Sequence, residues 1–114
     1  MLKIGDRIWL SGGYDMEPQW LEGKDGYSGI VFGFKEFDHG RFVIAKLDQK
    51  IKSSKLESDI ILMQLRYKNA VWNDTEHVHI FLCGEIPSVE FLSKEWFSQN
   101  AVWMESHANY KKIQ

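Results

Sequence analysis

The sequence predicts a mainly β protein: a small barrel of five to six antiparallel strands with a short C-terminal helix. Three observations predict it. Apolar residues recur at every second position in several short runs separated by turn-rich links, the period of half-buried strands. The stretch 26–48, GYSGIVFGFKEFDHGRFVIAKLD, reads as two strands folded back through a polar tip at Asp38-His39-Gly40. Its return strand is apolar on both faces, with Val43, Ala45 and Leu47 on one and Phe42 and Ile44 on the other. Two apolar faces imply a strongly curved barrel, or an outer face covered by a loop or by the C-terminal segment.

Taken in order, residues 2–10 alternate, with Leu2, Ile4, Ile8 and Leu10 on one parity and Gly5-Asp6 as a bend or bulge. Residues 11–26, rich in glycine and irregular, form a long ordered loop. In the hairpin, Ile30, Val31, Phe32 and Phe34 leave neither face polar, while Gly29 and Gly33 suit sharp curvature or close backbone approach. Residues 48–58 read as a polar connector. Ile61, Met63, Leu65 and Tyr67 then alternate in a fourth strand. Residues 69–76 are another link, and Val78, Ile80 and Leu82 face inward from a fifth strand. Ser88 is an N-cap for a short amphipathic helix carrying Phe91, Leu92, Glu95 and Trp96. Residues 101–110 return as an edge strand or run extended, and the tail 111–114 frays. The expected division is a single domain with the barrel in 1–84 and a C-terminal addition in 85–114.

The totals bound the setting. At 114 residues, with 44% hydrophobic and 14% aromatic content, the chain suits one packed domain without disulfide or metal support. Cys83 is its single cysteine, which points to a reducing compartment. No signal-peptide pattern opens the chain and no window approaches the ~20 apolar residues of a membrane span. The expected address is the cytoplasm. A net charge of −2 offers no overall basic excess for neutralising phosphates.

The strand and turn pattern resembles a Src-homology-3-like barrel. Within it, Gly5-Asp6-Arg7-Ile8, Gly26-Tyr27-Ser28-Gly29-Ile30-Val31 and Phe42-Val43-Ile44 resemble a KOW-type arrangement, over residues 4–48. That resemblance implies a role on ribosomal RNA or the transcription machinery. Here the loop between the two halves is longer than usual in that pattern and acidic, carrying Asp15, Glu17, Glu22 and Asp25. Peptide-binding members of the same architecture set an acidic loop beside aromatics, and Tyr14, Trp20 and Tyr27 are similar in kind, without the A-L-Y-D-Y signature. The opening GDR-x-x-L-S-G-G-Y-D also resembles that of small uncharacterised bacterial proteins.

Candidate chemistry is sparse. His77 and His79 share a strand face with Cys83, but the thiol stands roughly 20 and 13 Å from them along an extended strand, too far for one ion. A metal site would need His107 or a carboxylate as well, and surface histidines are the simpler reading. Cys83 lacks a cysteine-hydrolase context. The acidic loop residues have no hydrolase spacing, and neither glycine group is a Walker motif. No cofactor and no catalysis are therefore expected. Five tryptophans exceed what a small barrel core needs. Core packing explains most of them, and a recognition surface accounts for the rest. The expected function is protein binding through Tyr14, Asp15, Glu17, Trp20, Glu22 and Tyr27, extended by Trp9, toward a basic or amphipathic partner such as a toxin masked by an immunity protein. The alternatives are an RNA-binding face of Lys46, Lys50, Lys52 and Lys55, and a metal- or small-ligand-binding barrel.

Overall fold

The protein is a closed barrel of six antiparallel strands. Its computed structural model describes residues 2–12, 25–37, 40–65 and 78–113, apart from the side chains of residues 65, 91 and 105–107. The strands are β1 (Arg7–Ser11), β2 (Tyr27–Phe37), β3 (Gly40–Lys52), β4 (Glu57–Leu65), β5 (Val78–Cys83) and β6 (Ala101–Ile113). Each strand pairs with the next in sequence, and β6 returns to pair with β1. Between β5 and β6 lie a 3-10 turn at Val89–Phe91 and one short helix, α1 (Lys94–Asn100). Among the described residues no helix is long and apolar enough to cross a membrane.

Alternation dictates the interior. Ile8, Leu10, Val31, Val43, Ala45, Ile61, Met63, Val78, Ile80 and Leu82 point inward and are almost wholly removed from water. Burying such side chains stabilises the fold by about 1.5–3 kcal/mol each. The first strand is shorter than its apolar alternation suggests. Gly5 takes a left-handed φ of 95°, and its N–H donates to the Val31 carbonyl at 2.8 Å while Val31 N–H donates to the Asp6 carbonyl at 2.9 Å. This turn throws Ile4 outward, where it is 67% exposed, and the strand begins only at Arg7.

The hairpin of β2 and β3 is present, with a bulge between Val31 and Gly33. The bulge changes the parity of β2, so Phe32 joins a cluster outside the barrel while Phe34 packs on the interior. The expected connector at 48–58 is mostly strand. β3 runs on to Lys52 and pairs again with β4 at Ile51 and Lys52 after an irregularity past Lys46. Only residues 53–56 turn, held by the Ser53 hydroxyl, which accepts from Lys55 N–H at 3.1 Å and Leu56 N–H at 3.0 Å. The arm is not a solvated link, because Ile51 is buried in the barrel core and Leu56 packs against it.

The C-terminal stretch differs most from expectation. Residues 101–113 are neither an edge strand nor a frayed tail: β6 pairs with β5 from Ala101 to Ala108 and with β1 from Asn109 to Ile113. Two register shifts against β5 give β6 extra length and bend, which lets one strand close the wall. The barrel therefore does not end at residue 84. Only residues 84–100 are an addition, laid on the outside.

Candidate functional site

The outer wall explains the second apolar face. Directly opposed residues share a face, so Gly33, Ile44, Leu62, Phe81 and Trp103 form one rung across β2 to β6. Lys35, Phe42, Gln64 and His79 form the rung beside it. Over these rungs lies the segment between β5 and β6. Ser88 caps the 3-10 turn by accepting from Glu90 N–H at 3.3 Å, and Ser93 caps α1 by accepting from Trp96 N–H at 3.1 Å. The expected single helix starting at Ser88 is thus two pieces with two caps. Their apolar sides bury Phe42, Ile44, Leu62, Cys83 and Leu92 in a second core.

Gly33 sets the fit of the cover. A Cβ there would stand 2.8 Å from Val89 Cγ2, so only glycine lets the 3-10 turn seat against the sheet.

The cover does not reach the whole rung. Beside α1 an aromatic groove of about 520 Å³ stays open, lined by Phe37, Phe42, Phe81, Phe97 and Trp103 with Gln64, Lys94, Ser98 and Ala101. Its volume falls in the ordinary range of binding clefts. The rings brace one another: Phe37 and Phe97 meet edge to face at 5.0 Å, and Phe42 and Phe97 are tilted by 42° with centroids 4.7 Å apart. Trp103 is 56% exposed at the margin. A second groove of about 570 Å³ has an apolar floor of Ile30, Phe32, Leu56, Ile60 and Ile86. Its rim mixes Lys46 and Lys50 with Glu57, Asp59 and Glu85.

On another sector of the wall Arg7, Ser28 and Asp48 tie β1, β2 and β3 together. Arg7 donates to both Asp48 oxygens, at 2.9 and 2.5 Å, and the Ser28 hydroxyl donates to the same carboxylate at 2.5 Å. The Arg7 hydrogen bond, then that from Ser28, holds the Asp48 carboxyl down at about 2. This clamp is structural, because its polar atoms are spent on one another.

Of the residues expected to form the protein-binding surface only Trp9 and Tyr27 are described, and they do not share a face. Tyr14, Asp15, Glu17, Trp20, Glu22 and His77 lie outside the described residues, as does the side chain of His107. Tyr27 does not belong to a surface: it is 4% exposed inside the barrel, on the rung with Leu10 and Tyr110. Trp9 is on the outer face, half-buried, with its indole against Gly26. Lys46, Lys50, Lys52 and Lys55 are exposed, with Lys46 at 4.0 Å from Asp59 and Lys52 at 3.9 Å from Glu57. His79 is half-buried opposite Gln64. Cys83 is fully buried in the second core, and burial pushes its thiol up to about 12, the wrong direction for a nucleophile or a metal ligand.

The sequence reading missed the groove. Phe37 and Phe97 lie 60 positions apart in the chain, and Trp103 lies in the segment 101–110, expected as an edge strand or an extended run. The available signal was the doubly apolar β3 together with a tryptophan on β6. Set against protein-family models, curated proteins and solved structures, the chain matches none of them.

Proposed function

We propose that the chain is a non-catalytic binding module whose partner is another protein, seated on the aromatic groove beside α1. One observation carries this reading. Trp103 keeps 56% of its surface in solvent at the rim of a cleft built from phenylalanine rings. Exposed apolar patches of this kind are characteristic of interaction sites, and tryptophan is enriched among residues that dominate interface energies. The barrel beneath is closed and well packed, so the groove is preorganised and little ordering cost falls on binding.

The burial of Cys83 supports the non-catalytic part of the reading, since the chain's one thiol is not activated. A cytoplasmic, bacterial setting rests on that lone thiol and on the resemblance of the opening motif. A basic partner, such as a toxin held by an immunity protein, rests on net charge −2 and on the acidic residues of 15–25. The KOW-like RNA reading ranks below, because Lys46 and Lys52 each stand near a carboxylate that offsets their charge.

The test is affinity capture with the full chain and with its Trp103→Ala variant. A specific partner retained by the wild type should be lost by the variant while far-UV circular dichroism is unchanged. Equal retention by both would remove the groove as the site. Retention of RNA at low salt, abolished by Lys50→Glu with Lys55→Glu, would favour the nucleic-acid reading instead.

A further inference from the structure

Going beyond that reading, we infer that without a foreign partner the aromatic groove is covered by a second copy of this chain, with Trp103 of each copy seated in the groove of the other. The geometry is self-complementary. Trp103 stands on the outer face of β6, 56% exposed, opposite Phe81 of β5 and at the margin of the groove that Phe37, Phe42, Phe81 and Phe97 line. A projecting ring and a hole of the kind that takes one therefore share a single face. A two-fold axis beside Trp103 turns that arrangement into two identical contacts, each indole filling the other copy's groove. Space of about 520 Å³ admits an indole. The lining rings, set at 89° and 42° to one another, offer it faces as well as edges.

Charge permits the contact. Across a two-fold axis every uncompensated charge on a face is brought up to its own duplicate, which is repulsive. Among the described lining residues there is no carboxylate, and the one ammonium, that of Lys94, already has a partner. The second groove lacks both conditions. Lys46, Lys50, Glu57, Asp59 and Glu85 ring it, and the exposed apolar residue beside it is Ile30, at 37%, rather than a projecting ring. Strand addition is no substitute, because the six strands close on themselves and two copies meet by faces rather than edges. The contact is small. Two enclosed indoles of about 150–250 Å² each, even with an equal area of lining covered, fall below the ~1,200 Å² of a lasting interface. The dimer is therefore weak and exchanges readily, which keeps the groove available to another protein.

The experiment is sedimentation equilibrium of the full chain from about 10 µM to about 1 mM, the span in which weak contacts form. The mass should rise from one chain toward two and stop there. Trp103→Ala removes the ring, and Ser98→Phe fills the groove from an exposed position on α1 while leaving the ring in place. Each should weaken dimerisation about tenfold or more. Ile4→Ser, which removes an exposed apolar residue on the Gly5 turn, should leave it unchanged. A chain that stays monomeric throughout overturns the inference. So does a dimer untouched by Trp103→Ala or Ser98→Phe, a dimer lost in Ile4→Ser, or assembly that continues past two chains. Sedimentation reads the second copy and the capture experiment reads the foreign partner, so either reading fails without the other.

Discussion

Asp48 shows how one side chain can fix three strands. Its carboxylate is shared by Arg7 of β1 and Ser28 of β2, so it joins neighbours that backbone pairing alone holds only two at a time. Because its folded value, about 2, lies below the ordinary 3.8, the ionised form favours the folded state. That contribution is complete above 3.8 and is lost as pH falls toward about 2. The urea midpoint of the wild type should therefore drop across that window more steeply than that of Asp48→Asn, measured side by side. Identical slopes would mean that the clamp adds nothing. Gly33 makes the second case at this scale. Adding a methyl group against Val89 forces the turn outward, and Gly33→Ala should cost about 1–3 kcal/mol in chemical denaturation. In a Val89→Ala background the same change should cost far less, since its obstacle is gone. The need for close approach at Gly33 was legible in the sequence. Its partner was not, because Val89 is brought there by the fold from beyond three intervening strands.

At the scale of elements, alternation was a sound guide to the interior and a poor one to strand ends. Inward residues of β3, β4 and β5 follow from period two alone. Where strands stop depends on bulges and turns, and these broke the pattern at Ile4, at Phe32 and between Lys46 and Ile51. The doubly apolar β3 signalled a cover, and the segment carrying α1 supplies it. Helix α1 is only seven residues long, too short to persist by its own hydrogen bonds, so its apolar side must hold it. Phe97, which touches both Phe37 and Phe42, is the main anchor. Replacing this half-buried ring by alanine should cost about 2 kcal/mol and release α1 while the barrel stays folded. Hydrogen exchange would read this as faster exchange at 94–100 with protection of β3 to β5 unchanged. Global unfolding at the same denaturant concentration would show instead that cover and barrel are one cooperative unit.

For the whole molecule the decisive element is β6. It gives both remaining edges a partner: Ala101 to Ala108 satisfies β5, and Asn109 to Ile113 satisfies β1. An antiparallel sheet of five strands without it would present two rows of unpaired amides and carbonyls, which invite pairing with other chains. The aromatic groove would lose Trp103 and Ala101 at the same stroke. Fold and candidate site therefore depend on one strand, and that strand was the least legible. Its sequence, AVWMESHANYKKI, alternates weakly because its two bulges shift parity twice and its outward face carries Trp103. Removing residues 101–114 should consequently do more than shorten the chain. The truncated protein should lose its cooperative thermal transition and elute as oligomers in size-exclusion chromatography. Removing only 112–114 should be milder, since Trp9, Leu10 and Ser11 keep their β6 partners while Arg7 and Ile8 lose theirs. A monomeric, cooperatively folded 1–100 fragment would show that the wall stands without its sixth strand.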